Sequence, residues 1–187
     1  MIHLFAFVAG LRELEPDLEA RRVGAVTAVL GREEPDPLRH GLVVEALTAR
    51  ADAVLPVRFG ARFADEAELE SAVRPRLEAL ERQLEHVAGC LEVGVRIVPR
   101  GETVHGTDGS GYMQARLREQ LAAEEVHRAL AARARDSVRT SRDAGYLVAR
   151  AEVEDFSEAA ARLLESHPAL DVLCTGPWAP YSFAAAT

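Results

Sequence analysis

Segments with strand periodicity alternate along this chain with segments of helix periodicity, in two rounds parted at Gly89. Residues 2–9 are almost continuously apolar, as a buried first strand requires. Residues 23–30 alternate and predict a second strand. A loop rich in acid and proline, Glu33 to Pro37, opens a helix near Leu38 whose apolar face is Leu42, Val43, Ala46 and Leu47. Ala53 to Phe59 predicts another strand, closed by Gly60. Asp65 with Glu68 forms a capping box. The helix it starts carries Leu69, Val73, Leu77, Leu80, Leu84 and Val87, a narrow seam like that of a helical hairpin or coiled coil. Pro75 predicts a kink there, or two abutting helices.

In the second round, Leu91, Val93, Val95 and Ile97 fall on one face of a strand. A glycine-rich loop, Pro99 to Gly111, leads into a helix over 112–136. Met113, Leu117, Leu121, Val126 and Leu130 are expected on one side of it, with pairs such as Glu124 and Arg128 on its charged faces. Tyr146 to Val153 predicts a strand. Asp155 with Glu158 reads as a second capping box, and Phe156, Ala160, Leu163 and Leu164 as an inward face. Leu170 to Cys174 is the last expected strand. The order β-β-α-β-α, then β-α-β-α-β, predicts α+β or α/β layers, a sheet covered by helices, in two domains, residues 1–89 and 90–187. The C-terminal domain has the pattern of a ferredoxin-like layer short of one strand, with its first helix extended.

The chain closes on Thr175-Gly176-Pro177-Trp178-Ala179-Pro180-Tyr181-Ser182-Phe183, which holds the only tryptophan. Pro177 and Pro180 fix φ and remove donors, so this segment is expected to be a stiff extended tail rather than a central strand or helix. Its aromatics dock either on the chain itself or on a partner. Leu55-Pro56-Val57-Arg58-Phe59-Gly60 is the other unusual segment. Pro56 inside a strand implies an edge or a bulge. Alternation sets Arg58 opposite Val57 and Phe59, and a buried guanidinium there would need a carboxylate or carbonyl partner, or would meet an anion or partner protein.

Elsewhere the chemistry is sparse. Gly106, Gly109 and Gly111 precede a helix but fit neither the P-loop nor the dinucleotide fingerprint, and Asp108 and Ser110 read more simply as helix caps. The six histidines, His3, His40, His86, His105, His127 and His167, show no metal-binding spacing and read as surface or capping residues. No nucleophile elbow occurs, and the many glutamates lie at helical spacing from arginines. No catalytic residue, metal or cofactor is therefore expected. All 22 basic residues are arginine against 30 acidic ones, a net charge of −8. That balance argues against nucleic acid or an anionic lipid membrane as the main partner. Cys90 and Cys174 follow no paired spacing and fit a reducing cytoplasm, although a bond between them is left open. The first apolar run is too short for a membrane span and lacks a basic flank.

The Leu55–Gly60 block, followed by Phe63-Ala64-Asp65-Glu66, resembles the most recognisable block of the gas vesicle protein F/L family. Thr175 to Phe183 resembles that family's closing signature. Between them, Glu92-Val93-Gly94-Val95-Arg96, Ser110-Gly111-Tyr112-Met113 and Ala144-Gly145-Tyr146-Leu147-Val148 occur in the family's order, and His40 to Leu47 is similar to the segment before the first block. The region from Val23 to Leu38 and the helical extension at 110–140 are shorter than in relatives.

The resemblance implies two α+β domains, the second ferredoxin-like with a shortened, coiled-coil-like helical extension and a tail lying back across the domains. It also implies a non-enzymatic accessory protein of gas vesicles. Such a protein would bind the hydrophobic shell protein and other accessory proteins during assembly, or be a minor vesicle component, in the cytoplasm and at the vesicle. The residues expected to bind partners or organise the domains are Pro56, Arg58, Phe59, Gly60, Trp178, Tyr181 and Phe183. Two other functions fit the same pattern. A small-ligand or enzymatic ferredoxin-like domain would need polar groups converging in a cleft, such as Arg58 with His40 or His105. A helical adaptor would self-associate through the seams at 69–87 and 113–130.

Overall fold

The computed structural model describes residues 1–32, 36–99, 109–140, 143–168 and 170–184, with backbone alone at 99, 109, 110, 112, 115 and 164. The side chain of Leu164, expected on a helix face, most of the glycine-rich loop with His105, and the loop residues Glu33 to Pro35 lie outside what is described. The chain divides into two compact units, residues 1–91 with Trp178 onward, and residues 92–177. The division falls close to Gly89, but the tail, expected with the second half, is counted with the first unit.

The first unit begins with β1 (Ile2–Ala9), β2 (Leu18–Val23) and β3 (Val26–Gly31). It continues through α1 (Pro37–Arg50), β4 (Ala53–Pro56), β5 (Arg62–Phe63), α2 (Glu66–Val73) and α3 (Leu77–Val87). The strands form one sheet in the order β2-β3-β1-β4, with β5 also on β1. Both α1 and α3 pack on β1 and β4, which is why Ile2 to Val8 are all buried and why this strand is apolar on both faces. The expected single strand over 23–30 is instead the far arm of a hairpin. It turns at Gly24, whose φ of 62° favours glycine and where a Cβ would lie 2.9 Å from Leu77. The sequence hides β2 because an edge strand keeps its water-facing residues polar, here Glu19, Arg21 and Arg22.

Helices α2 and α3 abut through a 3-10 turn at Arg74–Arg76, as Pro75 requires. Asp65 accepts from the Glu68 amide at 2.9 Å, and the Glu68 carboxylate accepts from the Ala64 amide at 2.5 Å. The seam does not form a coiled coil. Leu69, Val73, Leu80, Leu84 and Val87 are buried, and α3 lies on the sheet.

The second unit holds β6 (Cys90–Pro99), α4 (Gly109–Ala131), β7 (Asp136–Arg139), β8 (Asp143–Ala149), α5 (Val153–Ser166) and β9 (Leu170–Trp178). Its sheet runs β7-β8-β6-β9. The strand that sequence periodicity does not show is β7, a short exposed edge whose one apolar residue is Val138. The strand expected to reach Val153 stops at Ala149, and α5 starts at Val153, so Asp155 lies inside its first turn and is not a cap. The core is Val93, Val95, Val126, Leu130, Tyr146, Val148, Phe156, Ala160 and Leu170. Met113, Leu117 and Leu121 are not part of it and are exposed. At 3.6 residues per turn, Leu121 and Val126 point about 140° apart, so one face cannot hold both. Glu124 pairs across to Arg139 on β7.

Candidate functional site

The two sequence segments singled out as motifs both fall largely in the first unit. The first leaves the sheet at its edge. Strand β4 ends at Pro56, which faces Ala6 of β1. An edge position tolerates the missing donor, and Val57 resumes the ladder with a 2.9 Å bond from its amide to the Phe5 carbonyl. The strand expected to run to Phe59 therefore stops three residues early. Gly60 has φ of 99°, a conformation that costs a residue with Cβ.

Under this turn lies a polar cluster that no sequence motif marks. His3 and His40 are each only 3% exposed, which corrects the expectation of surface or capping histidines. His40 Nε2 is 2.9 Å from the Val57 carbonyl, and His40 Nδ1 is 3.3 Å from His3 Nε2. A carbonyl can only accept, so His40 Nε2 carries a proton, and in the neutral imidazole His40 Nδ1 then accepts from His3 Nε2–H. Burial holds the His40 imidazole below the usual histidine range, with the Val57 bond as a smaller opposing effect. Phe5 stacks on His40 at 5.3 Å, and Phe59 lies 5.7 Å from each imidazole. Phe59 remains 44% exposed, a lid with one wet face.

Arg58 is exposed and makes no ion pair among the described residues, which corrects the expected internal salt bridge. The turn after Pro56 breaks strand alternation, so the side chain is free of the sheet. Arg58 and His40 do not form a polar cleft: one faces water and the other is sealed beneath Phe59.

The tail is built differently. Strand β9 runs through the cis Gly176–Pro177 bond to Trp178, beyond the expected end at Cys174. It sits at a sheet edge, where proline is tolerated. Ala179 and Pro180 are buried, and the chain then turns, with the Phe183 amide 3.2 Å from the Pro180 carbonyl. Trp178 is 55% exposed, Tyr181 is also exposed and Phe183 half-buried. Partial burial pushes the Tyr181 phenol up. Among the described residues, no tail ring stacks on Phe59. Cys90 and Cys174 are both free.

The chain matches the family model described as Gas vesicle synthesis protein GvpL/GvpF over residues 4–185. It belongs to the GvpL/GvpF family. Gas vesicle protein F of Haloferax mediterranei is 30% identical over 131 residues, covering 70% of this chain and 59% of that relative. Gas vesicle protein F2 of Halobacterium salinarum is 28% identical over 162 residues, 81% and 72% of the two chains. The chain thus spans under two thirds of the Haloferax relative's length. The crystal structure of GvpF from Microcystis aeruginosa matches with a TM-score of 0.76 at 14% identity, covering 98% of both chains. GvpF from Anabaena matches at 0.70 and 17%, covering 100% of this chain and 96% of that one. The GvpL/GvpF fold of mixed helices and two sheets is therefore shared well beyond sequence similarity. Among the described residues, no helix is long and apolar enough to cross a membrane.

Proposed function

We propose that this chain is an accessory protein of gas vesicle assembly. It binds the hydrophobic shell protein and other accessory proteins during vesicle formation, acts in the cytoplasm and at the vesicle, and performs no catalysis. The match to the GvpL/GvpF family over nearly the whole chain carries the gas vesicle role. The contact chemistry is supported by half-exposed aromatics seated on rigid, buried bases: Phe59 over the His3–His40 pair, and Trp178 and Tyr181 flanking buried Ala179–Pro180. Such anchors offer apolar area at little cost in side-chain entropy. Arg58 and Gly60 complete the first contact segment, with Pro56 and Phe183 holding the two segments in shape.

The test is light scattering of the gas vesicle shell protein diluted from denaturant, with and without this chain. Suppressed aggregation near a one-to-one ratio, with a co-eluting complex, is the expected result. Unchanged aggregation and no complex would refute shell-protein binding.

A further inference from the structure

Helices α4 and α5 pack together in the second unit with small residues at the contact, and a groove of about 210 Å³ remains between them. Ala129, Ala159 and Leu163 line it together with Arg133 and Arg162, whose side chains are exposed. Ala159 is buried and Ala129 half-buried. The charged lining is basic in a chain of net charge −8. Arg133, just beyond the end of α4, makes no ion pair among the described residues. Arg162 has only the exposed Glu158 at 3.3 Å, a weak, solvent-screened pair. The volume falls below the roughly 300 Å³ at which small-molecule sites begin, but suits one large apolar side chain.

We propose that this groove docks an acidic amphipathic helix of a partner protein. An apolar side chain of that helix would fill the space over Ala129 and Ala159, and its flanking carboxylates would meet Arg133 and Arg162. An apolar socket lined in part by arginines recognises that combination and rejects a basic helix, because the guanidinium groups then face like charge. The groove belongs to the second unit, whereas Phe59 and the tail belong to the first, so variants at Arg133 and at Trp178 test the two bindings separately.

The experiment uses the full chain and two fluorescein-labelled synthetic helices of about five turns, with the same leucine stripe flanked by Glu in one and by Lys in the other. Anisotropy reads affinity, and alanine-methyl NMR reads location. The Glu-flanked helix is expected to bind and shift the Ala129 and Ala159 methyls. Arg133→Glu should weaken it about tenfold, and Ala129→Leu, which fills the groove, should remove the methyl response. Arg133 is exposed, so its reversal leaves the fold intact, as circular dichroism would verify. Equal binding of both helices, no binding of either, or shifts confined to other residues would overturn the proposal.

Discussion

The Leu55–Gly60 turn and the Trp178–Phe183 tail both present aromatic rings to water, but different physics holds them. The turn rests on a buried polar pair: two imidazoles link β1, α1 and the Val57 carbonyl through directional bonds. The tail rests on two small buried residues, Ala179 and Pro180, and on a local turn. A polar base specifies geometry and is sensitive to protonation. A small apolar base is tolerant, and its neighbours are free to serve contact rather than stability.

The sharpest way to break this contrast is His40→Ala. It opens a cavity and strands the Val57 carbonyl and the His3 N–H, so a loss of about 2–4 kcal/mol is expected in urea unfolding. A loss under about 0.5 kcal/mol would mean that the pair does not support the turn. Acid should act on the same base. The folded His40 pKa lies below its unfolded value, so the unfolded chain takes up the proton first as pH falls. The stability contribution is complete above the unfolded histidine pKa of about 6.5 and declines as pH drops from there toward the depressed folded value. Comparing urea midpoints at neutral and mildly acidic pH in the parent and in His40→Ala would reveal this as a steeper slope in the parent than in the variant, where His127 still contributes.

Phe59→Ala comes next, with about 1 kcal/mol expected from half-lost packing on the two imidazoles. Trp178→Ala is expected to cost about the same, because nearly half of its larger ring is covered, and the smallest effect belongs to Arg58→Ala, within about 0.5 kcal/mol because that side chain is exposed. Trp178→Ala should nevertheless lower shell-protein binding. If it unfolds the chain instead, the tail is internal glue and the contrast fails.

Much of the fold is legible in the chain. The apolar run of β1, the capping box at Asp65, the break at Pro75 and the face shared by Val93, Val95 and Ile97 each follow from local rules that need no neighbours. The polar edge strands β2 and β7 are not legible, because their exposed side chains erase the alternation that marks a strand. The surroundings of the Leu55–Gly60 segment are not legible in the chain. Arg58 stands out as the odd polar residue in an apolar stretch, yet the strand ends before it. His3 and His40 do not stand out, since a histidine pattern does not distinguish a wet ring from a buried one.

Periodicity, caps, prolines and the two motif segments thus determined most of the elements, β2 and β7 excepted, and the family, because each depends on backbone rules acting over a few residues. Tertiary structure alone decided which polar groups are buried. The pairing of His3 with His40 across 37 positions, the exposure of Arg58, and the separation of Met113, Leu117 and Leu121 from the core depend on which surfaces meet. Burial is a property of the packed assembly of elements, and no short stretch of chain carries it.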